Sequence, residues 1–148
     1  MLMNWIETNT VKISAPAAAW REAVHASGRL LVEAGFAEPR YIDAMLRTVE
    51  ELGPYIVIAP GVALPHARPE DGALGTGFAA VVLAAPVEFG NPDNDPVHLV
   101  VAFCAPDKSA HIGSLSRLAK ALGKNDFLQR ARAAQSEAEL VKILNETE

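Results

Sequence analysis

Apolar residues recur at helical spacing over the first third of the chain, give way to short β-branched runs in the middle, and return to helical spacing over the last third. Ser14 with Pro16 behind it predicts a helix start, since serine caps well and proline suits a first turn. Trp20, Val24, Leu31 and Ala34 then share one face, Ser27 is small enough to join them, and Gly35 predicts the stop. A second helix is predicted from Pro39 to Leu52, with Ile42, Met45, Leu46, Val49 and Leu52 as its stripe and Gly53-Pro54 as its end. Tyr55–Ala59, Thr76–Leu83 and Val97–Phe103 read as strands, with Val87–Phe89 as a short extra one. Val81–Leu83 and Leu99–Phe103 are continuously apolar, which predicts strands covered on both faces.

Helical spacing resumes near Asp107 or Ser109. Ile112, Leu115, Leu118, Ala119 and Leu122 form a predicted stripe that Gly123 closes. Asn125 is positioned to cap a short helix through Ala134, and Ser136 with Glu139 forms a capping box before Leu140–Leu144. Residues 53–96 hold six of the ten glycines and seven of the ten prolines, so turns concentrate between the two helical thirds. The predicted order is two helices, strands, then three helices. That order defines a single α/β (α+β) domain over residues 1–148, with a mixed parallel/antiparallel β-sheet flanked by helices on both faces. No internal repeat or linker interrupts it.

Composition narrows the function. Eighteen acidic against 13 basic side chains leave a net charge of −5, which argues against the basic stripe that nucleic acid needs. A single Cys in 148 residues excludes a disulfide framework and a multi-thiolate zinc site. No apolar run approaches the roughly 20 residues that span a bilayer. The opening MLMNWIETNTVK has no basic stretch leading into an apolar one, so no signal peptide is expected. These features predict a soluble, acidic, cytoplasmic protein with no nucleic-acid partner and no direct membrane insertion.

The most unusual segment is Pro60–Pro69, in which His66 follows Pro65 directly and Arg68 lies before Pro69. Prolines fix φ and withdraw donors, so the segment is expected to be a stiff loop or bulged edge rather than a helix or central strand. Ala63 and Ala67 leave room for another molecule to approach. An imidazole held this way, with a guanidinium nearby and no base–carboxylate relay, suits a nucleophile toward phosphorus. Taken alone, the Pro-His pair also reads as a loop histidine whose ring serves a backbone carbonyl, and more often than as a nucleophile. His111 opens a predicted helix, where the dipole favours a neutral imidazole able to donate to an anion; an exposed surface histidine is the other reading. His25 falls off the apolar stripe, His98 starts a buried strand, and Cys104 ends it as a packed thiol. His66, His98 and His111 could together ligate a metal, but no HxH, HExxH or CxxC pair supports it. Ser114 and Ser116 have no evident base or GxSxG elbow, and no GxGxxG or P-loop is present. No cofactor or metal is therefore expected.

Gly61-Val62-Ala63-Leu64-Pro65-His66, with a later helix opening at His111, resembles the enzyme IIA components of the bacterial phosphoenolpyruvate-dependent sugar phosphotransferase system, in the fructose–mannitol superfamily. Glu38-Pro39-Arg40-Tyr41, Gly53-Pro54-Tyr55, Ala59-Pro60-Gly61, Pro65-His66 with Arg68-Pro69-Glu70, and Asp93-Asn94-Asp95-Pro96 are similar to its ascorbate-type branch. The resemblance spans nearly the whole chain and implies one type 2 enzyme IIA domain. It implies that His66 takes a phosphoryl group from the phosphocarrier HPr and passes it to a cysteine of enzyme IIB, which serves a membrane-embedded IIC permease. It implies that His111 assists by hydrogen bonding, and that the enzyme is a phosphotransferase. A homodimer is compatible with it.

Mannitol-type members carry an arginine sixteen residues before the active histidine, a position occupied here by Glu50. Arg68 is the expected replacement, with Arg47 behind it. A backbone acceptor is expected on one ring nitrogen of His66, so that the other keeps its lone pair. Ala63, Leu64 and Ala67 are expected at the centre of a partner surface, with Glu70, Asp71, Asp93 and Asp95 as an acidic rim. The alternative function is a stand-alone regulatory phosphoprotein of the same superfamily that binds partners according to its phosphorylation state.

Overall fold

The computed structural model of the chain describes residues 6–124 and 126–146. The elements are β1 (Val11–Ala15), α1 (Trp20–Glu33), α2 (Arg40–Leu52), β2 (Val57–Ala59), β3 (Val62–Ala63), β4 (Gly77–Val87), β5 (Val97–Cys104), α3 (Lys108–Leu122), α4 (Phe127–Ala133) and α5 (Glu137–Asn145). The strands form one sheet in the order β1-β4-β5-β3-β2. β4 and β5 run antiparallel, as do β2 and β3, whereas β1 follows β4 and β3 follows β5 in parallel. The mixed sheet predicted from the pattern is thus present.

Alternation along the strands divides the core into two layers. Ala79, Val81 and Leu83 of β4, with Val100, Ala102 and Cys104 of β5, face Val24 and Leu31 of α1 and Met45 and Val49 of α2. Phe78, Ala80 and Val82, with Leu99, Val101 and Phe103, face Leu118 of α3, Phe127 and Ala131 of α4, and Leu140 and Leu144 of α5. Helices on both faces explain why the central strands read as unbroken apolar runs. Each fully buried Leu or Met side chain, such as Leu31 or Met45, contributes roughly 1.5–3 kcal/mol.

Several expectations need correction. Val11–Ala15 is a strand, so the element order begins with β1 and not with a helix. Ser14 caps nothing; it lies in β1 at φ 52°, where the register with β4 shifts. α1 starts at Trp20, and the Glu22 carboxylate takes the Ala18 N–H just ahead of it. Leu52, Ile112 and Ala119 were expected on apolar stripes but are exposed. In α3 Leu118 is buried as expected and Leu115 and Leu122 pack partly against the core, while Ser114 and Ala121 are buried off the predicted stripe. Of the predicted extra strand at Val87–Phe89, only Val87 is extended in the sheet, as the last residue of β4 paired with Val97; Glu88 and Phe89 lie in the following loop. The expected cap at Asn125 lies outside the described residues. The expected cap of the last helix is present, with the Ser136 hydroxyl accepting the Glu139 N–H at 3.1 Å.

Pro60–Pro69 also departs from expectation. Val62 and Ala63 lie inside the sheet, between β2 and β5. Gly61, at φ 79°, turns the chain into this position, and neither Val62 nor Ala63 lacks an N–H. The expected acidic rim is split between two ends of the sheet. Gly61 N–H donates to the Asn94 carbonyl at 2.9 Å, which places the 88–96 loop at the start of β5, whereas residues 65–71 lie beyond its other end. Asp93 and Asp95 are therefore separated from Glu70 and Asp71 by the length of β5.

Candidate active site around His66

The segment after β3 runs alongside β5 as far as Phe103. Val62 and Ala63 are in register with Leu99 and Val100, and the Phe103 N–H donates to the Pro65 carbonyl at 3.2 Å. This parallel register sets His66 opposite Phe103. The two rings stack, with centroids 4.8 Å apart and planes 23° from parallel. Phe103 is fully buried in a central strand, so the imidazole rests on a packed platform.

His66 Nδ1 lies 2.8 Å from the Leu64 carbonyl oxygen. A carbonyl only accepts, so Nδ1 carries the proton and Nε2 keeps its lone pair. The expected backbone acceptor is therefore in place. Burial pushes the His66 pKa below the ordinary histidine value; the Leu64 hydrogen bond opposes this and His111 adds to it. Burial thus favours the neutral ring, and the Leu64 hydrogen bond leaves Nε2 as its nucleophilic valence.

His111 reaches the same place from α3. Its ring centroid is 5.4 Å from that of His66, nearly edge-on at 64°, and 5.2 Å from that of Phe103. Asp107 caps α3 by accepting the Ala110 N–H at 2.8 Å, and its carbonyl takes the His111 N–H at 3.0 Å. The main-chain N–H of His111 is thus already used, and the side chain is what α3 offers the site. Its Nδ1 is buried with no hydrogen-bond partner, an arrangement that ordinarily costs free energy.

The two histidines line an open cleft of about 870 Å³ that also carries Arg47 and Leu52 of α2, Arg68, and Lys108 of α3. The Arg68 guanidinium is held by Asp71, with Nε and Nη2 each 3.2 Å from a carboxylate oxygen, and this pair keeps the Asp71 carboxyl below its usual range. Glu50 faces α1, where it accepts from Arg21 at 2.9 Å, so this position contributes no charge to the cleft. Arg47 and Lys108 bring two further cations into it; Lys108 carried no signal in the sequence apart from standing three residues before His111. Tyr41, buried beneath the segment, was equally silent: its hydroxyl contacts Ala67 and Phe103.

The remaining predicted residues lie elsewhere. His98 sits beside Gly61 at the start of β5, away from His66 and His111. Among the described residues no group of three or more His, Cys, Asp or Glu is placed to hold a metal ion. His25 is exposed on α1. Cys104 is buried, its thiol donating toward the Phe36 and Gly75 carbonyls at 3.4 Å each, and burial pushes its pKa up to about 11. It is a structural thiol rather than a nucleophile. Among the described residues no helix is long and apolar enough to cross a membrane.

An imidazole with a fixed tautomer, a second imidazole against it and three cations, Arg47, Arg68 and Lys108, interspersed with Glu51, Glu70 and Asp71 around an open cleft are chemistry able to hold an anionic group. The sequence model of the family described as phosphoenolpyruvate-dependent sugar phosphotransferase system, EIIA 2, matches residues 4–147, and the chain belongs to that family. It is 40% identical over 143 residues to the ascorbate-specific PTS system EIIA component of Escherichia coli K12, covering 95% of this chain and 92% of that protein. The solution structure of the mannitol-specific cryptic phosphotransferase enzyme IIA of Escherichia coli is 34% identical, with a TM-score of 0.86 over 95% of each chain. Mannitol enzyme IIA from Escherichia coli, in its complex with phosphorylated enzyme IIB, is 27% identical with a TM-score of 0.82, over 94% of this chain and 96% of that one.

Proposed function

We propose that the protein is a phosphoryl carrier of an ascorbate-type sugar phosphotransferase system. His66 Nε2 accepts a phosphoryl group from HPr and delivers it to a cysteine of enzyme IIB, which supplies a membrane IIC permease. The observation that carries this reading is the 2.8 Å contact between Nδ1 and the Leu64 carbonyl, which leaves Nε2 as the attacking atom. Its bond to phosphorus forms as the donor's bond to phosphorus breaks. Nδ1 keeps its proton throughout, and the positive charge gained by the ring is stabilised by the carbonyl. Transfer of this kind depends on positioning and on charge balance at the phosphoryl oxygens. His111 donates to one of those oxygens, and Arg68 balances their charge from the cleft wall. The enzyme IIB complex of the mannitol relative supports the acceptor, and the ascorbate-specific relatives support the sugar class.

The test is a reconstituted relay of phosphoenolpyruvate, enzyme I and HPr, followed by candidate IIB proteins. Wild-type protein takes up one acid-labile, base-stable phosphoryl group and discharges it to an ascorbate-type IIB. His66→Ala takes up none; labelling of that variant at the wild-type rate overturns the proposal. A label that forms on His66 but is discharged by no IIB favours the regulatory alternative.

A further inference from the structure

In a parallel ladder, the residue opposite His66 would exchange two backbone bonds with its neighbours. Phe103 N–H would donate to residue 65, and Ala67 N–H would donate to the Phe103 carbonyl. The first bond is present, at 3.2 Å. The second is not. Ala67 N–H donates to the Tyr41 hydroxyl oxygen at 2.9 Å, and that oxygen lies 2.9 Å from the Phe103 carbonyl and 3.1 Å from the Ala67 carbonyl. The single phenolic proton is donated to these carbonyls, so the hydroxyl relays the missing bond from Ala67 to Phe103. One side-chain oxygen stands in the ladder immediately after His66.

This insertion has a geometric consequence. Before His66 the main chain is held directly against β5; after it, the chain is held off by the width of an oxygen. Pro65 has no N–H, so it adds no donor of its own to the ladder. The strand therefore ends at Ala63, although the register persists to His66. The backbone on the two sides of the imidazole is anchored at two different depths, which tilts the ring while leaving it stacked on Phe103. Tyr41 is itself immobile: it is 1% exposed, in the layer between α2 and the sheet. Its hydroxyl has no route to solvent and no other partner to take.

We propose that Tyr41 is a positioning residue for phosphoryl transfer, its hydroxyl acting as a spacer in the β3–β5 ladder that sets the orientation of His66. The proposal rests on His66 being the phosphoryl acceptor. Tyr41 touches neither the phosphoryl group nor the reacting nitrogen; it acts through Ala67.

The test is Tyr41→Phe, which removes one oxygen and keeps the ring. The maximal rate of phosphorylation by phospho-HPr is expected to fall about tenfold, as small misplacements of reacting groups do, with the KM for phospho-HPr unchanged. The ¹⁵N signals and titration midpoint of His66 move in parallel. Val49→Ala, a core change on the same helix, is expected to lower stability while leaving His66 signals and rate unchanged. Tyr41→Phe with wild-type rate and superimposable His66 signals overturns the proposal. So does a Val49→Ala variant that, still folded, loses rate equally. Should Tyr41→Phe not fold, uniform 3-fluorotyrosine substitution alters only Tyr41 and Tyr55, the two tyrosines of the chain. It weakens the phenolic oxygen as an acceptor, and unchanged His66 signals then overturn the proposal. Labelling of His66→Ala, by contrast, would sink the carrier reading itself.

Discussion

The two ends of β5 carry two proline-bearing segments with opposite use of their polar groups. At the start of β5, the 88–96 loop closes on itself. The Asp95 carboxylate accepts from the N–H groups of Phe89, Gly90 and Asn91 at 2.8–3.1 Å. The Asn91 and Asn94 side-chain amides both donate to the Val57 carbonyl, at 3.2 and 3.0 Å, and so cover part of edge strand β2. At the far end of β5, the 64–71 segment pairs its inner polar groups and Arg68, but leaves one nitrogen of His66 without a protein partner among the described residues. His66 spends Nδ1 on Leu64, Ala67 spends its N–H on Tyr41, and the outer side opens on the cleft with Nε2 among charged side chains of both signs, Arg47, Arg68 and Lys108 with Glu51, Glu70 and Asp71. Proline and acidic content do not separate these loops. Valences left over after folding do.

Changes at the active end should reduce transfer without unfolding the protein. His111→Ala is expected to slow phosphoryl transfer about 100-fold, the scale of losing one positioned donor in the transition state, while label still appears on His66. Arg68→Ala is expected to slow it only about fivefold, because a charge-assisted contact from an exposed side chain is modest. Single-turnover rates with phospho-HPr measure both. A larger loss in Arg68→Ala than in His111→Ala would reverse their assigned weights.

Acidity tests the same end. Because burial holds the His66 pKa below the ordinary 6.5, phosphoryl acceptance should persist below that pH and fall as the folded ring finally protonates. The linked stability has a definite sign. The unfolded chain takes up a proton as pH drops through 6.5 while folded His66 does not. This contribution is complete above that value and declines as pH falls toward the lower folded value. Urea titrations at several pH values, compared with His66→Gln, should show wild type losing more stability on acidification.

The opposite end should behave conversely. Asp95→Ala deprives three backbone N–H groups of their acceptor and is expected to cost about 2 kcal/mol, with no change in transfer rate below its melting range. A rate loss in folded Asp95→Ala would show that the two ends are coupled.

The fold was legible where periodicity is strong. α2, β4, β5 and α5 appear close to their predicted positions, because apolar spacing and end signals agreed there. β1 was hidden because Val11–Ala15 is only five residues, with a bulge at Ser14, and because Ser-x-Pro mimics a helix start. The stripes failed at Leu52 and Ile112, each near a helix end that projects beyond the sheet toward the His66 cleft. Proline and helix context singled out His66 and His111, and the structure brings their rings together, but their weight as a site came from the family resemblance. Tyr41, Phe103, Lys108 and the placement of Arg47 were not. Their contribution comes from register and helix docking, which join residues as far apart as 41 and 103.

Phe103 gives its N–H to Pro65, its carbonyl to Tyr41 and its ring to His66. Phe103 is fully buried in a central strand, so hydrogen–deuterium exchange of its amide should require global opening. The nucleophile's support then shares the lifetime of the whole native state. On the proposed carrier reading, His66 would meet two successive partners on a support that need not rearrange between them.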